Sequence, residues 1–172
     1  MLFRSTLAVQ VGFVVGALAS AILGIADAVP ARRLFVMSAL GGAAVNAAFV
    51  LQDAASVSSA IGLRALTGVA LAGVYPSGLK AMAGWFSRGR GMALGVLVGA
   101  LTVGSAGPHL IRGLGFEWKA VVIGASLLAV VGAVVMQIAV RDGPFEVSPT
   151  RFSWRHIGAV ARNPGVRLST YG

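Results

Sequence analysis

Arg64 is the only charged residue set well inside an otherwise uncharged run, the one from Ala54 to Leu79. A guanidinium is a planar, permanent cation with five N–H donors, suited to carboxylate or phosphate oxygens. If that run crosses a membrane, an Arg at the bilayer centre costs about 2.5 to 3.5 kcal/mol on insertion scales, and less near an interface. Two readings follow. Arg64 faces a cavity, where it helps to bind an anionic group or couples to a proton carrier, or it extends its head to the nearer interface and anchors its helix. His109, beside Pro108, is the other group with usable chemistry: an imidazole titrates near neutral pH, and the alternative is a simple hydrogen-bonding residue. No uncharged run contains Asp or Glu, so no carboxylate on these runs can carry a proton.

Other chemistry is excluded by composition. There are no cysteines, so disulfides and thiolate metal sites are ruled out, and the two histidines, His109 and His156, are too far apart in sequence to suggest a metal pair. No Ser-His-Asp set and no Gly-rich loop between a strand and a helix is present. We therefore expect no enzyme, no metal and no cofactor.

The elements that must position these residues are five apolar stretches: Ser5 to Ala26, Leu34 to Gln52, Ala54 to Leu79, Gly91 to Ile111 and Ala120 to Val140. A helix rises about 1.5 Å per residue, so about 20 residues cross a hydrocarbon core of about 30 Å. With 57% hydrophobic and 11% charged residues and a mean hydropathy of +0.87, a soluble fold would have to bury five wholly apolar helices under too little polar chain. The expected fold is an all-α membrane bundle of five spans, at about 5–26, 34–52, 57–79, 91–111 and 120–140. The first run is too long for the apolar core of a signal peptide and lacks a cleavage site.

The net charge of +9 does not imply nucleic acid, because the basic residues sit between spans and in the tail. They read as orientation signals. Arg32, Arg33, Lys80, Arg88, Arg90, Arg141, Arg151 and Arg155 fall on one side of the membrane, and Arg4, Arg112 and Lys119 on the other. This places the amino terminus outside and the carboxyl terminus in the cytoplasm. An outside amino terminus on so short a leader suggests a further helix upstream.

The loop after the first span, with Gly24, Asp27, Pro30, Arg32 and Arg33, resembles the cytoplasmic signature of the major facilitator superfamily. Asp27, Arg32 and Arg33 fall at matching positions, while Leu23, Ala28 and Pro30 replace a Gly, a basic residue and a second Gly. Arg64 followed by Gly68 resembles the fourth-helix pattern of that family. Gly73, Tyr75, Pro76 and the exit Trp85-Phe86 leading into Arg88, Gly89 and Arg90 continue it. The resemblance covers residues 1 to about 145 and makes the five spans helices two to six of a twelve-helix transporter. It implies that residues 1–143 form part of the amino-terminal lobe and 144–172 the central cytoplasmic loop. It also implies that Asp27, Arg32 and Arg33 form a cytoplasmic gate, against the alternative of a solvated turn, and it places an Arg where Arg64 stands.

Gly91, Gly95 and Gly99 recur every four residues, followed by Gly104, Gly107 and Pro108. Such a stripe admits a close neighbouring backbone, so these glycines read as helix-packing residues. Gly107-Pro108 is similar to a fifth-helix motif of proton-coupled antiporters, but Ile111 and Arg112 stand where further glycines would follow. Asn46 is expected to bond between helices. In the tail, Arg151, Arg155 and Arg162 share one helical side, opposite Trp154, Ile157 and Ala161, which suits a short helix in the headgroup layer. The resemblance implies transport of a small solute by alternating access, with membrane lipids, the solute and a second lobe of the same transporter as partners. Alone, the chain is expected to be an inactive part of a lobe. The rival is a non-transporting membrane assembly partner or an inert remnant. Ala, Gly, Val and Arg usage with little Lys points to a bacterial inner membrane.

Overall fold

In the computed structural model, which describes residues 2–51, 57–141 and 143–145, the chain is a bundle of helices. They are α1 (Leu2–Leu23), the single turn α2 (Ile25–Ala28), α3 (Ala31–Val50), α4 (Val57–Trp85), α5 (Arg90–Gly113) and α6 (Trp118–Ala139). The five longer helices are each long and apolar enough to cross a membrane. Large apolar side chains such as Leu18, Met37, Met92, Val103 and Ile138 are exposed on them, as a lipid-facing surface requires. The tail helix expected at Arg151 to Arg162 lies outside the described residues.

Helix ends differ from the uncharged runs for local reasons. The first run extends to Ala26, but α1 closes at Leu23, because Gly24 adopts φ 63° and ψ 28°, a left-handed conformation open to glycine at little cost. Pro30, extended at φ −54° and ψ 134°, starts α3 at Ala31, so Arg32 and Arg33 lie in its first turn and not in a loop. The third span continues past Leu79 to Trp85. Lys80 interrupts an uncharged run without interrupting a helix, because its apolar stem is at home beside a membrane interface. At 29 residues, α4 is about 43 Å long. Pro76 lies inside it and removes one backbone donor. In that turn the single Ser77 hydroxyl proton is shared between the Gly73 and Val74 carbonyls, at 2.6 and 2.9 Å.

Helices α3 and α4 form the centre: α4 packs on α1 and α3, α3 also packs on α6, and α5 touches α4 and α6 only lightly. Between lipid-facing helices there is little hydrophobic driving force, so close backbone approach and dispersion hold the contact. The α1–α4 seam is built on that basis. Gly12 lies against the Ala65 carbonyl, Gly16 within 3.0 Å of Val69 and Ala72 for an added methyl, and Gly68 against the Val9 carbonyl and the Phe13 amide. Helices α3 and α4 run antiparallel, with Gly73 against Ser38, Gly42 near Ala70 and Gly78 near Phe35.

After α6 the chain turns onto the end of α4. The Trp85 indole N–H donates to the Arg141 carbonyl at 2.8 Å, the Phe145 amide donates to the Gly84 carbonyl at 3.0 Å, and Gly143 lies directly on the Gly84 backbone. Gly84 O is one of the last carbonyls of α4, which have no partner within the helix, and this strap satisfies it.

Candidate functional site

Three helices meet to make an extended polar cluster. Arg64 lies seven residues into α4, about 10 Å along its axis. Asn46 is four residues before the last residue of α3, and Ser126 is eight residues into α6. The Arg64 Nη1 donates to Asn46 Oδ1 at 3.1 Å. The Asn46 Nδ2 donates to the Ser126 Oγ at 3.0 Å and to the Val122 carbonyl at 3.2 Å. Ser126 itself donates to the Val122 carbonyl at 3.0 Å.

The apolar side of the cluster is aromatic. The Arg64 guanidinium carbon stands 3.9 Å from the centroid of the Phe49 ring, within the range of a cation–π interaction. Trp118 meets Phe49 edge-on, with centroids 6.0 Å apart and planes at 67°, a favoured aromatic geometry. Arg64 and Asn46 are half-buried, and Ser126 is buried. Among the described residues no carboxylate pairs with Arg64, so its charge is balanced only by an amide dipole and a ring face.

The remaining candidates lie elsewhere. Asp27 is exposed on α2, and Arg32 and Arg33 follow on α3; among the described residues no ion pair joins them. His109 is exposed on α5 and takes no part in the Arg64 cluster. Gly91, Gly95, Gly99 and Gly107 meet open space, with nothing within 4 Å of an added methyl, whereas Gly68 is in tight contact with α1. On α5 the less exposed residues Ala93, Leu94, Leu97, Gly107 and Ile111 fall toward one side, while Thr102, Ser105 and His109 occupy the opposite, exposed one. Sequence reasoning did not single out Ser126, Phe49 or the Val122 carbonyl. The available signal was that Ser126 is the single hydroxyl residue in α6, since a lone hydroxyl in an apolar span tends to bond across helices.

A bundle of spans with an Arg in the fourth-helix pattern invites comparison with transporter families, and the family model of the Major Facilitator Superfamily matches residues 5–171. The chain belongs to the major facilitator superfamily. No curated protein and no solved structure matches it. As a major facilitator superfamily member, the chain is a multi-pass membrane protein of a family that moves small solutes across membranes. Within that family frame the Arg64 cluster, rather than α5, is where the chain concentrates polar groups inside its spans.

Proposed function

We propose that the chain forms one wall of the solute path in an inner-membrane carrier, and that the Arg64 cluster meets a small organic anion there. The observation carrying this reading is the guanidinium inside a span, held by Asn46 at 3.1 Å and Phe49 at 3.9 Å without a carboxylate partner among the described residues. An uncompensated cation inside a span is expensive, and an anionic solute would supply the missing charge. With no Asp or Glu in any of the five uncharged runs, a cationic solute would find no partner on this wall.

The path would run between this bundle and a second helical lobe, the two rocking about a site near the midplane. Asp27, Arg32 and Arg33 are the proposed cytoplasmic gate, with the amino terminus outside and the carboxyl terminus in the cytoplasm. His109 is the candidate for proton coupling. By itself the chain should carry no flux, because alternating access needs two lobes.

Proteoliposomes containing the 172-residue protein, tested for uptake of labelled acetate, should therefore stay at the level of empty vesicles. The purified chain should bind acetate and lose that binding on Arg64→Met. Uptake above the empty-vesicle level would contradict the inactivity, and equal binding by Arg64→Met would contradict the role of Arg64. A second reading, a non-transporting assembly partner, is favoured by the open glycines of α5, which leave that helix ready for another helix to pack on.

A further inference from the structure

The Arg64 cluster has a fixed polarity that begins on α6. The Ser126 hydroxyl has a single proton, and its bond to the Val122 carbonyl at 3.0 Å uses it. Toward Asn46 the hydroxyl can then only accept, which it does from Nδ2 at 3.0 Å. The second Nδ2 proton goes to the Val122 carbonyl at 3.2 Å. Both amide protons are thus committed to α6, and the remaining group, Oδ1, faces Arg64 Nη1 at 3.1 Å. Reversing the amide would set N–H against N–H at Arg64 and C=O against C=O at Val122. The orientation is therefore imposed by α6, although α6 does not itself touch the guanidinium through any hydrogen bond found among the described residues.

The consequence lies on the other edge of the guanidinium. Nη1 is held by Asn46, and the guanidinium carbon lies over the Phe49 ring, 3.9 Å from its centroid. Among the described residues no hydrogen bond engages Nε or Nη2. That edge is a two-donor fork, and a carboxylate matches it with two parallel N–H···O bonds. We infer that Ser126 and Asn46 are positioning residues that aim the Nε/Nη2 edge of Arg64 at the carboxylate of the solute, so that the seating of α6 on α3 and anion binding on α4 are coupled. This rests on the reading of Arg64 as an anion site.

Position and charge are separable here. Arg64→Lys keeps the charge and loses the fork. Ser126→Ala leaves Arg64 untouched and removes one of the two acceptors that orient Asn46, leaving the Val122 carbonyl alone, and Ser126→Thr restores it. Asn46→Asp places a carboxylate against Arg64 and competes with any solute anion.

The test uses the full chain in lipid nanodiscs, with acetate as probe and acetamide as its neutral counterpart, and follows the unfolding midpoint against probe concentration. Acetate should stabilise the native chain and acetamide should not. Ser126→Ala should weaken acetate binding about fivefold, the equivalent of one ordinary hydrogen bond. Ser126→Thr should return it to the native value, and Asn46→Asp should abolish it. A purely structural role for Ser126 would lower the midpoint without changing the acetate affinity, and that result would overturn the inference. A second measurement needs no anion: in the cycle of Ser126→Ala with Arg64→Lys, the double variant should lose less than the two single losses added together. Additive losses would overturn the relay whatever acetate does. Coupled losses with no response to acetate in any variant would keep the relay and overturn the anion reading of Arg64.

Discussion

Replacing Gly68 by Ala adds a methyl group where α1 already stands. An added Cβ would lie 2.8 Å from the Phe13 amide nitrogen and 2.9 Å from the Val9 carbonyl carbon, and closer still to the Val9 oxygen. Ordinary contact begins at 3.4 Å, so clearing the Phe13 nitrogen alone needs a retreat of about 0.6 Å and clearing the nearer Val9 oxygen needs more, and all three obstacles are backbone atoms that cannot rotate away. Overpacking of this kind costs about 1 to 3 kcal/mol. Ala is a better helix former than Gly by about 1 kcal/mol in water, which leaves a net loss of about 0 to 2 kcal/mol. Gly95→Ala on α5 is the matched control: nothing lies within 4 Å of its added methyl, so only the helix-propensity gain remains. Unfolding in mixed micelles, followed by helicity against denaturing detergent, should separate the two variants by about 2 kcal/mol, with Gly68→Ala the weaker. Equal stability, to within about 0.5 kcal/mol, would refute the argument that this seam is held by backbone contact.

Further outcomes follow from the same geometry. Asn46→Leu removes three interhelical hydrogen bonds, and at about 0.6 kcal/mol each in membranes the same titration should record a loss of about 2 kcal/mol. Phe49→Leu removes the ring under Arg64 and the edge contact to Trp118; with Trp85 and Trp154 replaced by Phe, the emission of Trp118 should shift. Trp85→Phe removes the bond to the Arg141 carbonyl, and the Phe145 amide, bound to Gly84 O, should exchange with solvent about fivefold faster by hydrogen–deuterium exchange. Because the chain has no native cysteine, single cysteines at Arg33 and Leu114 can be labelled without background. An impermeant maleimide should reach them from opposite sides of the membrane.

The spans were legible because twenty uncharged residues have few other uses, and charge alone located all five. Charge did not locate their ends. Lys80 ended the third run on paper but sits inside α4, and Gly24 lies within an uncharged run yet breaks a helix, through a backbone angle that hydropathy does not register. Asn46 was readable as an interhelical bond because an amide in an apolar span needs a partner. Its partners were not, since pairing Arg64 with Asn46 and Ser126 depends on how α3, α4 and α6 are rotated. The glycines divide in the same way. The row on α5 was the more regular pattern, but it is Gly12, Gly16 and Gly68 on the α1–α4 seam that are in close contact with a neighbouring helix backbone, and only the arrangement of neighbours distinguishes a packed stripe from an open one.

The most direct measurement is the nitrogen resonances of the Arg64 guanidinium in the lipid-embedded chain, assigned by their disappearance in Arg64→Lys and recorded with and without acetate. A guanidinium whose Nε/Nη2 edge takes up a carboxylate should shift at those nitrogens with acetate and stay unchanged with acetamide. Resonances that ignore acetate, in a protein whose Asn46 bond is intact, would contradict the account of Arg64 as the anion-binding group on this wall of the carrier.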